Sequence, residues 1–423
     1  MAATLHRYSV TVVVLGDLGR SPRMLNHALA LANDGAEVCL AGYCETPVER
    51  AVLEHPRIRV CRIRTVSAAK EGASRFLFLL ISGFRLGSLW LQLLWLLLAR
   101  TPRGGALLVQ NPPSVPTLPV GWLTARLSGS LFVVDWHNFG HAMLALRLGP
   151  AHFAVRLTKA CERLFGGRAD AHLCVSKAMR DVLVAEFSVP DPIVLYDRPR
   201  QMLPVVPISS RSAGASRAVA RAGFVLPEGS ALAVCPTSWT ADEDMALLLE
   251  GLMQWDAAPP GPRLFVLITG RGPLRDAFER RLSGIRWSRA EVHTAFLDPA
   301  DYRELLCAAH FGFCMHRSSS GVDLPMKVMD LFGARTPVCA LDYGACLAEQ
   351  LQPGFTGVSF QNSEELALRI DELLRGFPDD MCLLERLQKG IETSCGETWE
   401  QVWQRNAAPV FRRLSGDVGA GQG

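Results

Sequence analysis

Lysine is scarce in this 423-residue chain, occurring only at positions 70, 159, 177, 327 and 389, and nothing concentrates basic charge into a stripe. With a formal net charge of +3, nucleic-acid binding is not expected. Positive charge is therefore almost all arginine, which reflects genome composition as readily as phosphate binding. The twelve cysteines contain no C-x-x-C pair, so neither a disulfide framework nor a thiolate metal site is expected, and a reducing compartment fits. Residues 1–9 lack the apolar core of a signal peptide or an N-terminal anchor. Only one long hydrophobic run is present, residues 76–99.

The length allows two domains of ordinary size. Residues 201–228 are rich in Pro, Ser, Gly and Ala without a sustained period, so they read as a linker between domains at 1–200 and 229–395. A helix is expected over 396–414, and the tail 415–423 is expected to be disordered. Short apolar runs ending at polar or basic residues recur along both halves, as buried parallel strands do. Ligands of open α/β sheets bind at such carboxyl strand ends.

The densest chemistry lies in SSSGVDLPMKVMDLFGARTPVCAL, which starts at Ser318. Ser319, Ser320 and Gly321 form a small-residue turn that lets backbone N–H groups approach an anion, and Pro325 suits a helix start. Lys327 then falls in the first helical turn, and Asp330, a turn later, is placed to meet ribose hydroxyls. Upstream, the run LFVLITG leads to Arg271, and the strand at 231–235 leads to Ser238 and Trp239. Downstream, Glu349 precedes another strand. Asp242-Glu243-Asp244 has the form of a metal-nucleotide D-x-D triplet, but Thr240 to Glu243 reads better as a helix-capping box, so no metal is expected.

In the first half, Gly16, Asp17, Gly19, Arg20 and Arg23 follow the first strand, with two arginines flanking a glycine turn. A dehydrogenase fingerprint is the competing reading of that turn, but the full G-x-G-x-x-G spacing is absent. A second strand ends in VVDWHNFG, placing His137 at a sheet edge as a candidate general base. Asp17, at the end of the first strand, is expected to orient His137 or to replace it as the base.

The ordered set LGDLGRSPRM, QNPPSVPTLP, VVDWHNFGHAM, LCVSKAMR, TSWTADEDM, ITGRGPLR and SSSGVDLPMKVMDLFG resembles the chitobiosyldiphosphodolichol β-mannosyltransferase family of the dolichol pathway, over roughly residues 9–403. The resemblance implies the α/β GT-B fold, two Rossmann-like domains facing across a cleft. It implies inverting transfer of mannose from GDP-mannose to chitobiose carried on dolichyl diphosphate, at the cytosolic face of the endoplasmic reticulum. On that reading the strand-end residues Ser238, Trp239, Arg271, Ser319, Ser320, Gly321, Asp323, Lys327, Asp330 and Glu349 are the donor candidates. Gly16, Gly19, Arg20 and Arg23 suit the acceptor diphosphate, and His137 with Asp17 are the candidates for catalysis. No tightly bound cofactor is expected, and Mg²⁺ dependence is left open.

Family members usually carry an N-terminal transmembrane anchor, from which this chain departs. Residues 76–99 are long enough to span a bilayer, but they lie between strands of one expected sheet, so they read as an in-plane membrane helix with Leu93, Leu94 and Leu97 on its lipid face. A helix of the domain core is the competing reading. Two other functions stay in view: a retaining α-mannosyltransferase, disfavoured because Asp323 and Asp330 depart from the usual paired glutamates, and a catalytically silent scaffold for later mannosyltransferases of the pathway.

Overall fold

The computed structural model describes residues 8–64, 75–258 and 260–415, with backbone alone for 75–86 and 415. Two compact units result: one runs to Tyr196 and takes the chain back from Trp399, and the other spans Asp197–Thr398.

The first unit is built on seven parallel strands, β1 Ser9–Asp17, β2 Glu37–Tyr43, β3 Ile58–Arg62, β4 Ala106–Asn111, β5 Leu131–Trp136, β6 Ala171–Cys174 and β7 Ile193–Val194. Their spatial order is β3-β2-β1-β4-β5-β6-β7. The second unit holds β8 Ser230–Pro236, β9 Arg263–Thr269, β10 Ala290–Ala295, β11 Phe311–Cys314, β12 Val338–Leu341 and β13 Gly357–Phe360, ordered β10-β9-β8-β11-β12-β13. These strands form because runs such as VTVVVL and LFVLIT are rich in β-branched and large apolar residues that both covered faces of a parallel sheet accept. Strands are added outward in opposite directions from between β1 and β4, and again from between β8 and β11, and at such switch points a crevice opens at the strand ends to admit ligands.

Residues 201–228, expected as a linker, instead belong to the second unit. Ser212–Arg221 is helical, with Ala215, Ala218 and Val219 buried in that unit's core. Arg211 is buried beside them and donates to the carbonyls of Ala309, Ala334 and Arg335 and to the Thr336 hydroxyl. Alanines supply the buried stripe, so the helical period carries little hydrophobic contrast. The tail 416–423 lies outside the described residues. At the other end of the second unit, the Trp399–Asn406 helix returns to the first unit, where Trp399, Val402 and Trp403 join its core.

The hydrophobic run forms the Arg75–Arg100 helix, which packs on the Thr117–Ser128 helix. Leu93 and Leu97 are buried, while Leu91 and Trp95 are 70 % and 67 % exposed. The expected lipid face is thereby corrected: Leu93 and Leu97 are core side chains, and the outward stripe is Leu91, Trp95 and Leu98. Among the described residues no helix is long and apolar enough to cross a membrane.

Candidate functional site

In the first unit the organising group is Asp135, a fully buried carboxylate near the end of β5. Its Oδ2 lies 2.7 Å from His137 Nε2, 3.1 Å from His27 Nε2 and 2.8 Å from Arg23 Nε; its Oδ1 lies 2.8 Å from Arg23 Nη2. Burial opposes its charge, but the guanidinium and the two imidazoles outweigh burial and hold Asp135 well below the usual carboxylate range. An ionised carboxylate only accepts, so the His137 nitrogen facing it carries a proton, and in the neutral ring it is Nδ1 that keeps the lone pair. His137 keeps about a fifth of its side chain exposed (21 %), enough to meet a substrate hydroxyl.

His27 is set from the other side. Its Nδ1 accepts from the Trp403 indole N–H at 3.1 Å, so its Nε2 donates to Asp135. Complete burial pushes its pKa down and keeps it neutral. The Pro22–Asn33 helix contributes both Arg23 and His27, which at i and i+4 share one face. A second histidine–carboxylate pair stands nearby in sequence. Buried Glu162 contacts His141 Nδ1 and accepts from Ser114 Oγ, Asn111 Nδ2 and the Gly140 N–H.

Several expectations are corrected here. Asp17 does not touch His137: it accepts from the Thr46 hydroxyl (2.6 Å) and from the Thr46 and Glu45 N–H groups, pinning the loop after β2. Burial raises its pKa, but those donors prevail and hold it below the ordinary range. Arg23 is buried and spent on Asp135 and the Leu195 carbonyl, so it is not offered to a diphosphate. Gly19 serves packing, because a Cβ there would lie 2.6 Å from the Pro47 carbonyl oxygen. Gly16 has no such close contact, and Arg20 is exposed at the end of the following turn.

In the second unit the site gathers at the switch point beside β8 and β11. The segment 242–244 is tied to 315–317 by the Asp244 N–H to Met315 and the Arg317 N–H to Asp242, which turns Glu243 inward. Buried Glu243 pairs with Lys327 and accepts from the Thr237 hydroxyl and the Ser238 N–H. The capping-box expectation is corrected too: the helix starts at Met245, capped by Asp244, and Glu243 belongs to the ion pair. Lys327 thus comes to the site with a counterion, and burial lowers its pKa.

His316 lies between Asp323 (2.9 Å) and Asp242 (3.4 Å). Burial disfavours its charge, yet hydrogen bonds to both carboxylates prevail and push its pKa up to about 9. Asp323 also accepts from Ser318 and Ser320, so the serine turn is held by side chains, with Gly321 at φ +75°. Ser319 is half-buried in that turn. Asp330 accepts from the Tyr302 hydroxyl, and half-buried Glu349 ends a short turn that Gln350 ties to the Pro325 carbonyl.

The end of β9 approaches the end of β8 so closely that a Cβ on Gly270 would lie 1.8 Å from the Thr237 oxygen, and one on Gly272 1.9 Å from the Ser238 oxygen. Between them Arg271 stacks on Phe296 at 3.6 Å and pairs with no carboxylate among the described residues. Trp239, expected at the donor, is wholly buried against Phe278 and is a core residue. Among the described residues no group of three or more His, Cys, Asp or Glu side chains is arranged to hold a metal ion.

Sequence similarity bears on this geometry. Residues 19–196 match the glycosyl transferase 4-like domain, and 268–389 a glycosyl transferase-like domain. The human chitobiosyldiphosphodolichol beta-mannosyltransferase is 35 % identical, with 95 % of this chain and 92 % of that protein aligned. The chain belongs to the chitobiosyldiphosphodolichol β-mannosyltransferase family. Arabidopsis thaliana has a relative 34 % identical over 96 % of this chain and 98 % of its own length, named UDP-glycosyltransferase TURAN. Among solved structures, Anabaena HepE with UDP and glucose superposes with a TM-score of 0.64 at 13 % identity over 95 % of this chain and 98 % of that one, a likeness of fold alone. Family and topology together make this a GT-B glycosyltransferase of two Rossmann-like halves.

Sequence reasoning missed Asp135, Arg23 as its partner, His27 and Glu243. One signal was available. Asp135 and His137 are two apart at the end of a strand, where alternate residues project to one side.

Proposed function

We infer that the chain is the inverting β-1,4-mannosyltransferase that adds the first mannose from GDP-mannose to chitobiose on dolichyl diphosphate. Membership of the family carries the substrate assignment, and the Asp135–His137 pair carries the chemistry. His137 Nδ1 takes the proton from the acceptor hydroxyl as its oxygen attacks the anomeric carbon. The bond from that carbon to GDP breaks on the opposite face, which inverts the configuration. Asp135 holds the imidazole in the required tautomer and stabilises the imidazolium that forms. Arg271 and Lys327 oppose the charge that develops on the departing diphosphate. The serine turn and the start of the Met326–Gly333 helix offer N–H groups to the same phosphates. The enzyme works without a tightly bound cofactor, at the cytosolic face of the endoplasmic reticulum membrane.

Incubation of the purified protein with phytanyl diphosphate chitobiose and a panel of GDP- and UDP-sugars tests this reading. A single β-mannose transferred from GDP-mannose is expected. An α-linked product would establish a retaining enzyme, transfer from a UDP-sugar would reassign the donor, and absence of any product would leave the scaffold reading.

A further inference from the structure

The helices that cover one face of the first sheet have an unusual surface. Connections from β3 to β4, β4 to β5 and β5 to β6 all run the same way across the sheet, and right-handed crossovers put their helices in one layer. That layer is formed by Arg75–Arg100, Thr117–Ser128, Gly140–Leu148 and Phe153–Phe165, with Lys177–Phe187, from the β6-to-β7 connection, at its edge; Thr117–Ser128 packs on the first and last of the four, and Gly140–Leu148 packs on Phe153–Phe165. Of the twenty large hydrophobic residues exposed among the described ones, eleven lie between Leu91 and Leu164 in these four helices and the turns that join them. Leu127, Leu146 and Phe153 are each more than 60 % exposed. On the Phe153–Phe165 helix, Phe153, Leu157 and Leu164 follow helical spacing along the outer side, the reverse of a helix that buries its apolar stripe.

Charge on the four central helices is one-sided, whereas Lys177–Phe187 at the edge sets Asp181 and Glu186 against Lys177 and Arg180. The four helices contain eight arginines and lysines and a single acid, Glu162, which is buried. A groove of about 750 Å³ is lined by Arg156, Lys159, Arg163 and Arg168. Among the described residues Lys159 pairs there with the Glu186 carboxylate at 2.7 Å, while Arg163 donates to the Glu186 main-chain carbonyl. Beside it lies an apolar groove of about 460 Å³ walled by Trp90, Trp122, Leu157 and Phe165, and the two share Ala160 and Leu164. A cationic trough joined to an apolar one fits a molecule with an anionic head and a hydrocarbon tail.

We propose that this four-helix layer is the surface by which the enzyme lies on a bilayer containing anionic phospholipid, the headgroup phosphate in the arginine groove and acyl chains against the apolar one. The Phe153–Phe165 and Gly140–Leu148 helices are central to it, and Leu93 and Leu97 take no part. Exposed apolar area of this extent is rare on soluble surfaces, and basic residues that outnumber their acidic neighbours draw it to negatively charged lipid. The proposal rests on the membrane-borne acceptor of the reading above, so its test includes an arm free of vesicles.

The test is co-sedimentation of the full chain with vesicles of phosphatidylcholine alone or with phosphatidylserine added. The wild-type protein should pellet with the anionic vesicles and be released by salt. Leu146→Glu with Leu157→Glu, or Arg147→Glu with Arg156→Glu, should lower partitioning about tenfold or more, the loss expected from removing two surface anchors. Leu368→Glu, on an exposed helix of the second unit, should change nothing. Turnover of a short-chain soluble acceptor should survive in all three variants, separating loss of docking from loss of the enzyme. Pelleting of the double variants like the wild type would overturn the proposal. So would a vesicle-independent dimer of the wild type that the leucine variants dissociate, because the surface would then join two copies.

Discussion

The two units share a strand order and use it differently. In the first, the polar centre is sunk beneath the surface: Asp135, Arg23 and His27 are at most 2 % exposed, and only the His137 ring reaches outward. In the second, the polar groups stand on loops at the strand ends, with Lys327 and His316 each partly open and charges balanced in pairs. The outer layers differ as well. The helices Met245–Asp256, Arg275–Leu282, Pro299–Ala308, Ser363–Leu373 and Cys382–Ser394 each carry at least two acids, whereas the four-helix layer of the first unit has one, and that one is buried. One topology therefore supports a buried cluster centred on Asp135 beneath an apolar, basic helix layer, and a strand-end system of paired charges beneath a mixed-charge exterior. Strand order sets where a site forms; the side chains at the strand ends set what it does.

The largest expected effect breaks the first centre. His137→Ala should lower kcat by ~10²- to 10⁴-fold, the range for loss of a positioned base. Asp135→Asn should lose comparably even where it folds, because an amide N–H facing Nε2 would shift the ring proton to Nδ1, the end that must accept. Asp135→Ala should in addition destabilise the first unit by about 3–5 kcal/mol, since Arg23 would be left buried without its partner. Urea melts monitored by tryptophan fluorescence measure that cost. Full stability of Asp135→Ala would mean that the carboxylate is not the keystone of the cluster.

A smaller effect is expected in the second unit. Lys327→Ala or Arg271→Ala should reduce turnover about 10²-fold, the loss typical of one preorganised charge stabiliser, and should weaken GDP binding measured by calorimetry. Unchanged turnover in both would remove these cations from the donor role.

The histidine of the second unit gives a pH signature. Its folded pKa, about 9, lies above the ordinary value of about 6.5, so its stabilising contribution is complete below the lower value and disappears as pH rises through the higher one. His316→Gln should melt below the wild type at about pH 6, and the two curves should converge by about pH 10. Parallel curves over that interval would show that His316 is not held charged between Asp242 and Asp323. The smallest effect belongs to Asp17→Asn, expected to leave kcat within about threefold of wild type because the carboxylate only pins the Glu45–Thr46 loop.

The sheets were legible because parallel strands are covered on both faces and so read as unbroken apolar runs. The strand-end loops followed from the glycines and the serine turn. Partnerships across long chain separations were not legible: nothing local couples Asp135 to Arg23, 112 residues earlier, or His27 to Trp403, 376 residues later. Asp17 misled because an acid at a strand end suits a catalytic partner and a loop anchor equally. Trp239 misled because its positive φ of 54° turns the side chain into the core. Leu93 and Leu97 misled because an almost uniformly apolar helix does not declare which side meets the protein.

The division of labour between the units is tested most directly by measuring turnover and GDP affinity together in His137→Ala. The expected result is a loss of at least ~10²-fold in kcat with GDP affinity unchanged. Near-normal kcat in this variant, with Asp17→Asn inactive, would contradict the assignment and move the base to the first strand.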